Sequence, residues 1–214
     1  MSCHPLRGVP TRPRTRPDEL TKAAWHEAGH ALVCTMYFGN VESVSIIPEG
    51  DSLGRQVARN TWGFSADRVK ELREAGRDDW AESIARQGIQ WSLAGRAAES
   101  VLTGHASYWD LSGDHTKAIE YAEAIAPPFA NVRQRRAWVS AFLYRERDHV
   151  RCWLKAYRPH LQSLSEALLK RRVIDGAELW DVLAELPPLQ FPKREALLMR
   201  RLVTQEKARE GVRS

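Results

Sequence analysis

Two histidines and a glutamate stand at H-E-x-x-H spacing in Trp25-His26-Glu27-Ala28-Gly29-His30. Residues four apart lie one above the other on a helix. Two imidazoles so placed can meet one Zn²⁺, at about 2.0–2.1 Å each. Glu27 sits about 100° around the helix from His26, because a turn holds 3.6 residues. It is too far round to be an equal ligand, yet near enough to reach a water on the metal. Zinc lowers the pKa of such a water to about 7. Glu27 can then take the proton and pass it to a leaving amine, as general base and then general acid. Gly29 is expected to leave room beside the metal. The competing reading is a helix with two partly buried, hydrogen-bonded histidines. The helical setting and the small flanking residues favour the metal.

A catalytic zinc takes three protein ligands and keeps a fourth position open. A third histidine in the same segment would need a glycine and a histidine soon after His30, and residues 31–38 contain neither. The third ligand must come from farther along the chain. Glu99, His105, Asp110, Asp114 and His115 are the candidates. His4, His149 and His160 have no metal-like spacing and read as structural or exposed.

The elements that must carry these groups follow from periodicity and punctuation. A helix is expected from Asp18, with Leu20, Ala24, Ala28, Ala31, Leu32 and Met36 at helical spacing and Gly39 as its stop. Val41–Ile47 is β-branched and reads as a strand, with a second strand over Leu53–Arg59. Ser65 caps a short helix ending near Gly76. A long helix over Asp78–Leu102 carries the stripe Ile84, Gly88, Trp91, Gly95, Ala98 and Leu102. Its two glycines would let another backbone approach closely. A loop over 103–113 leads to a helix from Asp114 to Ala126, ended by Pro127 and Pro128. The remainder reads as helical. One helix presents Trp138, Ala141, Phe142, Arg145, His149 and Trp153 on one face, the next opens at Pro159, and a last short one is capped by Asp175. The fold class is therefore mainly α with a small β-sheet beside the helix of the H-E-x-x-H motif. Residues 1–17 are expected to be a disordered basic, Pro-rich arm, 18–186 the ordered domain, and 187–214 a basic tail.

Bulk properties restrict the function classes. The chain has 214 residues, enough for one domain with a sizeable core, and a formal net charge of +5. Its charged ends read as solvated rather than as a nucleic-acid surface, since no base-reading pattern accompanies them. Cys3, Cys34 and Cys152 are scattered and odd in number, which disfavours a disulfide framework or a thiolate metal site. With no membrane-length apolar run and no signal-peptide core, a cytoplasmic protein without a membrane anchor is expected.

The ordered segments AAWHEAGHALV, VSIIPEGDSLG, LAGRAAESVLTG and LSGDHTKAIEYA resemble successive blocks of FtsH-type protease domains. The segment RPHLQSLSEALLKRRVIDGAELWDVL looks like that family's C-terminal helices. The resemblance covers about residues 18–186. It implies a zincin-like helical peptidase domain of FtsH type, with zinc held by His26, His30 and the aspartate in the block matching Leu111-Ser112-Gly113-Asp114. It also implies that Glu99 supports the metal site. Other H-E-x-x-H enzymes use a glutamate as the third ligand, so Glu99 competes with Asp114 for that place. His115 is expected to be a neighbour of Asp114 rather than a ligand. The resemblance further implies a strand beside the metal. Val44, Ser45 and Ile46 would pair there with an extended substrate by β-augmentation, unless that strand serves the fold alone.

FtsH-type proteases carry an ATPase module and a membrane anchor, and these 214 residues contain no G-x-x-x-x-G-K-[ST] phosphate loop. The expectation is an ATP-independent zinc endopeptidase acting on peptides or unfolded proteins. A homo-oligomer, six-membered by analogy with the family, is implied. Two other classes compete: a non-catalytic adaptor that holds peptides, and a regulatory protease with a single protein target.

Overall fold

The computed structural model describes residues 17–37, 41–48, 54–58, 65–105 and 113–187. Almost all of the expected N-terminal arm and C-terminal tail, together with His4 and Asp110, lies outside the described residues. No helix among the described residues is long and apolar enough to cross a membrane.

The first element among the described residues is α1 (Glu19–Tyr37), where Asp18 Oδ1 accepts the Thr21 N–H at 2.6 Å. This satisfies one of the orphan donors of the first turn. From Ala23 to Met36 nearly every residue of α1 is buried, so the helix is enclosed on most sides. Strands β1 (Val41–Ser45), β2 (Arg55–Ala58) and β3 (Val173–Asp175) form an antiparallel sheet in the order β2-β1-β3. The sequence reading missed β3. Three residues are too few to show a strand period, and β3's partner lies some 130 residues earlier in the chain.

That third strand changes the meaning of β1. Val44 faces Gln56 of β2 on one side and Ile174 of β3 on the other. The Ile46 N–H donates to the Arg172 carbonyl at 2.9 Å. Val44 and Ile46 are almost fully buried, at 0% and 1% exposure. Val44, Ser45 and Ile46 therefore offer no edge to an extended peptide, because β1 is the central strand. Among the described residues the outer edge of β2 is the open one nearest α1.

The remaining elements are α2 (Ala66–Glu74), α3 (Asp78–Thr103), α4 (Gly113–Ile125), α5 (Val132–Ala156), α6 (Arg158–Arg171) and α7 (Gly176–Ala184). Local signals set their ends. Ser65 Oγ caps α2 through the Arg68 N–H, and Asn131 Oδ1 caps α5 through Gln134. Asp175 and Glu178 form a reciprocal capping box on α7. Gly104 ends α3 in the left-handed conformation, at φ 78°.

Two apolar cores share α3. One gathers Leu32 and Val33 of α1, Val44, the C-terminal half of α3, Leu161, Leu164 and Leu168 of α6, and Leu179. The other gathers Val69, Ile89, Tyr121, Phe142 and Leu143, from α2, the N-terminal half of α3, α4 and α5. Inside this framework Glu146 of α5, only 2% exposed, accepts hydrogen bonds from Arg86 and Gln90 of α3. A buried carboxylate needs such partners.

The glycines act differently from the sequence expectation. Gly88 faces the Tyr121 ring and Gly95 faces the His26 ring, so both admit aromatic side chains rather than a backbone. Between α1 and α3 the close backbone contact belongs to Gly29. A Cβ there would lie 2.6 Å from the Ala94 carbonyl oxygen of α3 and 2.7 Å from Ala98 Cβ. Gly29 thus serves the crossing of α1 on α3.

Candidate metal centre

His26 and His30 lie one turn apart on α1, with ring centroids 4.8 Å apart and planes at 66°. Asp114, the second residue of α4, meets both rings directly. His26 Nε2 and His30 Nε2 are 3.1 Å apart, and Asp114 Oδ2 is 3.3 Å from the first and 3.1 Å from the second. These three atoms form a nearly equilateral triangle.

The other ring nitrogens determine what that triangle can hold. His30 Nδ1 lies 2.9 Å from the Trp91 carbonyl oxygen, which can only accept, so Nδ1 carries the proton. His26 Nδ1 lies 2.6 Å from Glu99 Oε1. Burial would raise the Glu99 carboxyl, but His26 and Arg96 outweigh it and hold Glu99 below its usual range. Glu99 is thus a carboxylate, and His26 Nδ1 donates to it. In the neutral rings both Nε2 atoms are then bare. With both rings neutral, two nitrogen lone pairs and a carboxylate oxygen converge on one point, which is the electrostatic requirement for a cation. The spacing fits as well. Ligands bound at 2.0–2.1 Å in a tetrahedron are about 3.3–3.4 Å apart, against the 3.1–3.3 Å seen here. The residues present therefore fit a tetrahedral cation with one position left open.

A proton competes for the same place. Burial works against charge on His26, yet hydrogen bonds to Asp114 and Glu99 lift its pKa from 6.5 to about 9. For Asp114, burial is outweighed by His26 and His30, which keep its carboxyl far below the usual range. The folded pKa of His26 is raised, so in the metal-free protein its stabilising contribution is complete below pH 6.5. That contribution is lost as pH rises through about 9. A cation must displace this proton. Zinc affinity is accordingly expected to rise about tenfold per pH unit up to about 9 and then level off, as read by competition with a chromophoric chelator.

Glu27 lies beside the triangle, 7% exposed. Burial raises its carboxyl pKa against the lowering influence of His30 and His26. The chain at Gly54, which leads into β2, rests directly on this carboxylate. A Cβ at Gly54 would lie 2.6 Å from both Cγ and Oε1 of Glu27.

Of the candidate third ligands among the described residues, the structure brings only Asp114 into the triangle. Glu99 stands behind His26, on the far side of its ring from the triangle. His105 is exposed at the end of α3 and is not in the cluster. His115 is half-buried, and burial together with the charge of Arg147 lowers its basicity. Asp110 lies outside the described residues. His160 bonds the Pro187 carbonyl at 2.8 Å, a structural contact. Sequence reasoning missed Gly54, Trp91 and Arg96. Trp91 contributes a backbone carbonyl, which leaves no side-chain signal. Arg96 had one, since it stands three residues before Glu99 on the same helix.

The chain is similar in sequence to ATP-dependent zinc metalloproteases named FtsH. It is 28% identical to FtsH 1 of Symbiobacterium thermophilum, over 86% of this chain and 32% of that protein. Identity is 28% with the FtsH of Acidothermus cellulolyticus, over 84% and 30%, and 23% with that of Pelobacter propionicus, over 82% and 31%. The chain carries an FtsH-related region. It spans about a third of the length of the curated relatives it matches. No protein-family model matches it. The likeness supports a metalloprotease-related function.

Proposed function

We propose that this chain is a zinc-dependent endopeptidase of zincin-like architecture that hydrolyses peptides or unfolded protein without nucleotide. One observation carries the reading: the two imidazole Nε2 atoms and Asp114 Oδ2 converge beside a buried glutamate, in a chain similar to FtsH zinc metalloproteases. In this reading His26, His30 and Asp114 hold Zn²⁺, which when bound supplies Lewis-acid polarisation of water and of the scissile carbonyl. Glu27 takes the proton of the attacking water and delivers it to the leaving nitrogen, the task its raised pKa suits. Glu99 fixes the His26 tautomer and Trp91 that of His30.

An extended substrate pairs with the outer edge of β2, which no described strand covers, rather than with β1. The support is the contact of Gly54 with Glu27, which places the start of that edge against the base. Self-association, a ring of six by the family resemblance, and a cytoplasmic setting belong to the same proposal. Sedimentation tests the first.

The experiment is zinc content measured together with casein hydrolysis, with and without a chelator. Stoichiometric zinc, loss of hydrolysis on chelation, recovery on zinc addition and indifference to ATP are expected. A fully zinc-loaded, folded protein that leaves casein and short peptides intact overturns the reading.

A further inference from the structure

We propose that the turn Gly95–Glu99 of α3 is a preformed seat for the His26 ring, and that Gly95 and Arg96 are positioning residues for the metal. The inference rests on the reading of His26 as a metal ligand, not on peptidase activity. The ring is gripped at both ends. Its Nδ1 donates to Glu99 Oε1 at 2.6 Å, and Arg96 Nη1 donates to the other oxygen of that carboxylate at 3.0 Å. Arg96 thereby stops Glu99 from turning about its terminal bond, and a fixed carboxylate fixes the proton it receives.

The far edge of the ring rests on Gly95. A Cβ built there would stand 2.4 Å from His26 Nε2, 2.5 Å from Cε1 and 2.6 Å from Cδ2. Nothing larger than hydrogen fits between α3 and the atoms that face the cation. The His26 side chain keeps 18% of its surface exposed, so a ring pushed off this seat has solvent to move into. Such a displaced ring no longer aims Nε2 at His30 Nε2 and Asp114 Oδ2.

Helix propensity opposes a glycine in the middle of α3. Glycine is a poorer helix former there than alanine. If the position served only the helix, alanine would improve it. Gly88, seven residues earlier on the same stripe, is the internal control. A Cβ there meets the Tyr121 ring in the second core, at 2.5 Å, away from the metal residues.

The test measures zinc affinity by chelator competition, alongside thermal melting of the metal-free proteins. Gly95→Ala is expected to bind zinc at least about tenfold more weakly, with a metal-free form that still folds and melts cooperatively. Arg96→Gln is expected to lose about 10–100-fold, the range for groups that orient a ligand, and Arg96→Lys to recover part of it. Gly88→Ala is expected to lower melting temperature while keeping wild-type affinity. Wild-type affinity in a folded Gly95→Ala overturns the seat. Should that variant not fold, wild-type affinity in Arg96→Gln overturns it. A wild-type protein that binds no zinc refutes the metal reading instead, so the two failures are distinguishable.

Discussion

Glu27→Gln will slow peptide hydrolysis by about 10²–10⁴-fold, the share general acid–base catalysis commonly supplies, and will leave zinc content unchanged. The substitution is nearly isosteric, so the carboxamide fits the space between α1 and Gly54 that the carboxylate now fills. Glu27 is 7% exposed and burial raises its pKa, placing it closer to the pH at which it must accept and return a proton. An amide can do neither. It also leaves the His26, His30 and Asp114 triangle intact, because Glu27 supplies none of its three atoms. Wild-type turnover in this variant would refute a glutamate base. Loss of zinc would mean that Glu27 belongs to the ligand set. A protein that only holds peptides would bind them equally well in both forms, which separates the adaptor reading from the enzyme.

Asp114→Ala will weaken zinc binding more than about 100-fold, whereas Glu99→Ala will cost about 10–100-fold, the range for an outer group that orients a ligand. The ordering follows from position. Asp114 Oδ2 lies within 3.3 Å of both bare nitrogens, and Glu99 Oε1 touches only the protonated side of His26. Removing Asp114 leaves two imidazoles and no anionic oxygen for a doubly charged ion. Removing Glu99 keeps all three donors but frees the His26 tautomer. The reverse order, with Glu99→Ala the more damaging, would give Glu99 the third ligand position. Chelator competition on the two variants decides it, and thermal melting of both metal-free proteins checks that each is folded.

Much of this arrangement was legible in the sequence because it depends on short-range rules. The His26 and His30 pair needs only a helix, and the run of small and apolar residues around it supplies one. Ser65 and Asp175 announced their helices through the donors they satisfy. What was illegible depends on partners remote in the chain. The central place of β1 is fixed by three residues beginning at Val173, too short a run to show a period. Gly95 was visible on its stripe, but a stripe does not say whether a ring or a backbone will fill the gap. Gly29 sits inside the H-E-x-x-H motif and reads there as room for the ion, while it is spent on the helix crossing. Asp114 shares only the general spacing of a distant carboxylate with Glu99 and Asp110, and the block similarity, not the spacing, singled it out.

His26 and His30 belong to a helix of the first core, while Asp114 opens a helix whose apolar face lies in the second. An ion shared among them would fasten one half of the molecule to the other at the point where α4 begins. Scarcity of that ion would then do more than stop the chemistry. It would leave the start of α4 tied to α1 by a proton in the ion's place, with α3 and α5, which run through both cores, as the other links between the halves. The supply of metal in the surroundings would thus set how long such a chain survives as well as how fast it works.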